Sequence, residues 1–243
     1  RRVAGYSGVN PGAYRFTVLN SAVENAFASP GGYIYVTRQL MGLMDNESEL
    51  AFALAHEVGH VAANPAQAPE SYTRRSSILG VLGAILGSVV GGGFGNAVAQ
   101  MAETRAQLAT LSFSREQEYQ ADTLGLRYIT NAGYDPSGGA GVLAALTRAS
   151  AVEARVQGRD SRQTPEWAST HPLSQNRMQR ALAEARATGR LGTGAKNRDQ
   201  FLAQLRIGLK VPEIHASSSL ERQLRSRSRP RRIQVLTVPI GRV

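Results

Sequence analysis

His56-Glu57-Val58-Gly59-His60 is the stretch of this 243-residue chain best suited to chemistry. On a helix, His56 and His60 stand one turn apart on one face, so both imidazoles can reach one metal ion. Glu57 lies beside them and can contact a water held by that ion. Two histidines do not complete a catalytic zinc site; a third protein ligand is needed. The segment Ser114-Arg115-Glu116-Gln117-Glu118-Tyr119-Gln120-Ala121-Asp122 supplies a candidate. Glu118 and Asp122 are i, i+4 neighbours, so both carboxylates project from one helix face. Glu118 can ligate the metal while Asp122 accepts a hydrogen bond from a ligating histidine and fixes its tautomer. Glu116 points about 200° around the helix from Glu118, away from such a site.

These motifs together resemble the gluzincin family that contains HtpX-type membrane peptidases, CAAX prenyl proteases and periplasmic BepA/LoiP-type proteases. The likeness is nearest to the periplasmic BepA/LoiP-like branch. It rests on HExxH at His56–His60, on Ser114-Arg115 leading to Glu118 and Asp122, and on a later turn, His171-Pro172. Asn25-Ala26-Phe27-Ala28 and Pro30-Gly31-Gly32-Tyr33-Ile34 also resemble the family's segment before its metal helix. About residues 10–190 are covered. The resemblance implies an α+β, mostly helical fold: a zincin-like metalloprotease domain with a small sheet beside the HExxH helix. It further implies a zinc-dependent endopeptidase, a hydrolase with one Zn2+ per chain held by His56, His60 and Glu118. Glu57 would take a proton from the zinc-held water and return it to the departing amine. By the same resemblance, the substrates are misfolded or unassembled envelope proteins, and the task is protein quality control. The expected place is the bacterial periplasm, peripheral to a membrane.

His171 and Arg177 extend this set. An imidazole near the metal could steady the tetrahedral oxyanion, or occupy the water's place and lock the resting chain. Arg177 follows six residues on and could pair with Asp122 or hold substrate carbonyls. His215 lies outside the matched region and is read as unrelated.

Helices and strands must position these residues. Tyr14–Val18 alternates apolar and polar as a half-buried strand does, and Tyr33–Val36 follows a glycine turn as a second strand. The second strand, close in sequence to the metal helix, is a candidate exposed edge to which an extended substrate could add. Thr37 caps a short helix through Met44. Asn46 caps a longer one, with Glu49 answering the cap and Leu50, Leu54, Val58 and Val61 as its buried stripe. Ser114, with Gln117 three residues on, opens the helix that carries Glu118 and Asp122. Further helices are expected near 141–154, after Ser174 and over 198–209, and a late strand at 233–238.

Composition sets the outer limits. Hydrophobic residues make up 42% and charged residues 19%, a globular balance. With no cysteine, disulfides, thiol catalysis and cysteine zinc fingers are excluded. The chain begins Arg1-Arg2 and not with methionine, consistent with a removed targeting segment. Residues 1–150 hold 10 Arg and Lys against 11 Asp and Glu; residues 151–243 hold 18 against 7, within a total of +10. A basic flank on a neutral body suits a membrane surface or an acidic partner. The run from Arg222 to Arg232 has no interleaved aromatics, which speaks against nucleic acid.

Residues 76–102 contain no charged residue, and Gly83, Gly87, Gly91 and Gly95 recur there every fourth residue. That spacing lays a smooth face along a helix, fit either for dipping into lipid or for packing on the domain as a glycine-rich flap. One weak apolar segment departs from the family's integral-membrane branch, and no helical-repeat tail of the BepA type follows. The expected organisation is a peptidase domain over 1–190, including segment 76–102, and a basic extension over 191–243. An alternative reading makes the chain a chaperone-like, membrane-surface binding factor whose metal is mainly structural.

Overall fold

Seventeen-residue helices carry both candidate ligand motifs, held by caps and by packing on three sides. In a computed structural model, residues 1–21, 24–29, 31–63, 113–156, 171 and 175–208 are described. Two 3-10 turns, Val3–Tyr6 and Pro11–Ala13, precede strand β1 (Arg15–Leu19). Strands β2 (Ala26–Ser29) and β3 (Tyr33–Thr37) follow, then helices α1 (Arg38–Gly42) and α2 (Glu47–Ala63). The later helices are α3 (Arg115–Asn131), α4 (Ser137–Val156), α5 (Gln175–Ala187) and α6 (Arg198–Gly208). The described chain is thus mostly helical with one three-stranded sheet.

Several local signals act as the sequence suggests. Thr37 Oγ1 accepts the Leu40 N–H at 3.3 Å and starts α1. Ser114 and Gln117 form a reciprocal capping box, at 3.3 and 2.9 Å. Gly133, with φ 85°, turns the chain after α3. At α2, Asn46 Oδ1 accepts the Glu49 N–H at 3.2 Å, but Glu49 answers one residue early, taking the Asp45 N–H at 2.9 Å. The buried face of α2 also differs from the expected stripe. Val58 is fully buried, whereas Leu50, Leu54 and Val61 are half-buried. Ala51, Phe52, Ala55, His56, Glu57, Gly59 and His60 are buried instead, because α3, α4 and the sheet enclose α2 on a wide front.

The sheet order is β1-β3-β2, with β1 parallel and β2 antiparallel to β3. Arg15 stands opposite Tyr33, and Ala26 opposite Val36. This overturns the expectation that Tyr33–Val36 is an exposed edge: β3 is the central strand, paired on both sides. Its Ile34 and Val36 point into the core, which draws it to the middle. Gly31 and Gly32 both have positive φ in the tight β2–β3 turn, and a Cβ on Gly32 would strike the Ala13 carbonyl. Among the described residues the open edges belong to β1 and β2.

Residues beyond 190 join the same core. Glu47 N–H donates to Lys196 O at 2.9 Å, Asp135 N–H donates to Ala195 O at 3.1 Å, and Phe201 is buried in the main apolar cluster. The expected boundary at 190 therefore falls inside packed structure, because an apolar face of α6 closes against the domain. Among the described residues no helix is long and apolar enough to cross a membrane. Segment 76–102, Ser174, His215, the basic run 222–232 and the expected strand 233–238 lie outside the described residues.

Candidate metal centre

Helices α2 and α3 meet through a glycine on each. A Cβ on Gly59 would lie 3.1 Å from the Ala121 carbonyl oxygen, and one on Gly125 would lie 3.1 Å from the His56 nitrogen. Glycine inside a helix costs about 0.5–1 kcal/mol relative to alanine. Here the missing Cβ atoms let the two backbones approach closely enough for carboxylates on one helix to meet imidazoles on the other. Glu118 and Asp122 precede Gly125 by two turns and by one, on the face turned to α2.

The structure brings all seven sequence-selected residues into one buried cluster. His56, Glu57, His60, Glu118, Asp122, His171 and Arg177 are each no more than 7% exposed. One ligand atom from each of His56, His60, Glu118 and His171 lies within 4.8 Å of the other three. His56 Nε2 and His60 Nε2 are 3.0 Å apart, and His171 Nδ1 is 3.3 Å from His56 Nε2. Glu118 Oε1 faces His60 Nε2 at 3.2 Å and His171 Nδ1 at 3.0 Å. Behind the cluster, Asp122 Oδ1 lies 2.9 Å from His56 Nδ1, which turns His56 Nε2 inward. Arg177 donates through Nε to Asp122 Oδ2 and through Nη2 to Asp122 Oδ1, both at 2.7 Å, and its Nη1 is 2.6 Å from Glu118 Oε2. Glu116 is exposed, as its helical angle requires.

Electrostatics follow from this crowding. Burial opposes charge on His56, but its hydrogen bonds to Asp122 and Glu118 outweigh that and raise its pKa to about 10. For His60, burial and the charge on His56 act together and lower the pKa to about 3. Burial pushes the Glu118 carboxyl up, yet His171 and the two helix histidines hold it well below the usual carboxylate range. Asp122 is also held low, where Arg177 and His56 overcome its burial.

The donor set fits a divalent cation. Two imidazole nitrogens lie 3.0 Å apart beside a buried carboxylate, and a proton between them satisfies them less well than a shared cation does. Among the described residues, Glu57 Oε2 is buried with no hydrogen-bond partner, and Glu57 Oε1 lies 3.4 Å from His171 Nε2. Two histidines and one glutamate in a compact cluster suit zinc in particular.

Three participants were not identified from sequence. Gly59 and Gly125 have no signal of their own there, since a helical glycine reveals its role only through the helix facing it. Phe113 stacks on His60 with ring centroids 3.7 Å apart and planes at 13°, and it also faces His171 at 5.6 Å. Its signal is weak: a lone aromatic just before the Ser114 cap.

Comparison with known proteins agrees with the cluster. The β-barrel assembly-enhancing protease of Yersinia pestis is 32% identical over 197 residues, covering 80% of this chain and 39% of that protein. The mitochondrial metalloendopeptidase OMA1 of Schizosaccharomyces pombe is 28% identical over 181 residues, 74% of this chain and 49% of its own length. The metalloprotease LoiP of Escherichia coli is 29% identical over 133 residues, 54% of this chain and 51% of its own length. The chain spans less than half the length of the first two. The profile of peptidase family M48 matches residues 1–185, a span that takes in α2, α3 and every side chain of the cluster. On that match the chain belongs to peptidase family M48, and so to the metallopeptidases.

Proposed function

We propose that this chain is a zinc-dependent endopeptidase of zincin-like architecture, acting in envelope protein quality control in the bacterial periplasm, at a membrane surface. The observation that carries the proposal is the convergence of His56, His60 and Glu118 beside the unpartnered Glu57 Oε2. When bound, zinc would lower the pKa of its water to about 7 and polarise the scissile carbonyl. Glu57 takes the proton from the attacking water through Oε2 and returns it to the departing amine. Asp122 holds the His56 ring in its ligating tautomer.

A small buried recess beside Glu57 is lined by Ala26, Leu40, Phe52, Val142 and Leu143, which places the start of β2 next to the site. Ala26 begins β2, whose second edge is open among the described residues. An extended peptide pairing with that edge would pass Glu57 by main-chain bonding, which favours unfolded substrates. Relatives named for β-barrel assembly support envelope substrates, since such barrels are outer-membrane proteins.

The test is metal analysis with casein digestion. The expected result is one zinc per chain, loss of cleavage on chelation and recovery on zinc addition. Cleavage that persists without metal would refute the proposal.

His171 supplies the second question. Its Nδ1 sits among the ligand atoms, and its Nε2 is 3.4 Å from Glu57 Oε1. Four protein donors are the mark of a closed site, whereas a catalytic site keeps a position for water. We infer that His171 closes the resting site and must withdraw for turnover. His171→Ala is then expected to keep zinc and cleave casein several-fold faster; a plain loss of activity would assign His171 to the oxyanion. The same closed set favours the one competing reading, a chaperone-like factor with a mainly structural metal.

A further inference from the structure

Arg177 is among the largest fully buried side chains of the described domain, and each of its three guanidinium nitrogens faces a carboxylate oxygen. Nε and Nη2 take the two oxygens of Asp122, while Nη1 takes Glu118 Oε2 at 2.6 Å. Glu118 is thereby divided. Oε1 points to His60 and His171 at 3.2 and 3.0 Å, while Oε2 lies 2.6 Å from Arg177 and farther, 3.5 Å, from His56 Nε2. With 1% exposure and its fork filled, Arg177 is poorly placed to hold substrate carbonyls, one of the two roles open to it from sequence.

We propose that Arg177 is a positioning residue that restricts Glu118 to ligating the metal through Oε1 alone, and so preserves a coordination position for substrate. The inference rests on the metallopeptidase reading above. A free carboxylate can grip a cation with one oxygen or with both. A cation approaching Oε2 would meet the positive charge of Arg177 and compete with a close, buried ion pair. Chelation by both oxygens would fill a position that the attacking water or the scissile carbonyl needs, because catalytic zinc carries three protein ligands and an open place. The same guanidinium fixes Asp122, which orients His56, so one side chain sets the geometry of two ligands. Lysine cannot replace it: a single ammonium lacks the planar fork that spans both carboxylates.

The experiment is X-ray absorption at the zinc edge on the zinc-loaded full chain, with casein kinetics, for wild type, Arg177→Met and Arg177→Lys. Resting wild type is expected to show three imidazoles, His171 included, and one carboxylate oxygen on zinc. Both variants are expected to gain a second carboxylate oxygen and to lose about 10- to 100-fold in kcat, with KM nearly unchanged. Two carboxylate oxygens in wild type would overturn the proposal, and this holds even if neither variant folds. Folded variants with an unaltered single-oxygen site would overturn it as well. Zinc bound without two imidazoles would instead sink the metallopeptidase reading, and this inference with it.

Discussion

Glu57→Gln is expected to cut casein hydrolysis by about 100- to 10,000-fold, the range general-base removal produces, while one zinc stays on the chain. The two halves of that result have separate causes. Glu57 is not among the four residues whose ligand atoms converge, so its replacement leaves the donor set intact. Its Oε2 is buried without a hydrogen-bond partner among the described residues, and glutamine cannot accept and return a proton there. Folding should change little, because the amide is nearly isosteric and Oε1 keeps its neighbour His171 at 3.4 Å. Metal content by elemental analysis and the initial rate of casein cleavage check both halves. Near-normal cleavage would remove Glu57 as the base, and loss of zinc would show that it ligates. The variant also separates the competing readings, since a chaperone-like factor with a structural metal would keep its function in Glu57→Gln.

Much of the site is legible in the sequence because its geometry is set within single helices. The spacing of His56 and His60, and of Glu118 and Asp122, fixes which face each pair shares before any tertiary contact is known. Caps at Thr37, Asn46 and Ser114 are local too, and the bonds that start α1, α2 and α3 follow from them. What escapes is set by contacts distant in sequence. β2 has four residues, too few for alternation to show, and the central place of β3 depends on β1 finding its parallel partner. Phe201 looks like one apolar residue in a basic flank until α6 closes on the core. Arg177 carries an ambiguity of the same kind: its bond to Asp122 can be guessed, but its bond to Glu118 exists only once α3 and α5 are packed.

Glu118→Gln tests that packing from the ligand's side, and two large effects are expected together. Losing the anionic oxygen that faces His60 and His171 should drop zinc content to near zero and take casein cleavage below detection. The neutral amide also leaves Arg177 and His56 with less negative charge in a buried place. Removing one member of a buried ion pair costs about 3–5 kcal/mol. Asp122 remains as a partner to both, so the lower end, about 3 kcal/mol, is expected in metal-free protein. For a domain of this size that is a fall of roughly 6–12 °C in Tm. The pH dependence has a definite sign. The folded pKa of Glu118 is depressed, so its contribution is complete above the unfolded carboxylate value of about 4.3 and fades as pH falls. The gap in Tm between wild type and Glu118→Gln should therefore narrow in acid and be widest near neutrality. Added zinc at about 100 times its dissociation constant should stabilise wild type by about 2.7 kcal/mol and leave the variant unmoved. Calorimetry with and without zinc reads all three effects. A variant that still binds one zinc tightly and melts with wild type would detach Glu118 from the metal and Arg177 from its proposed task.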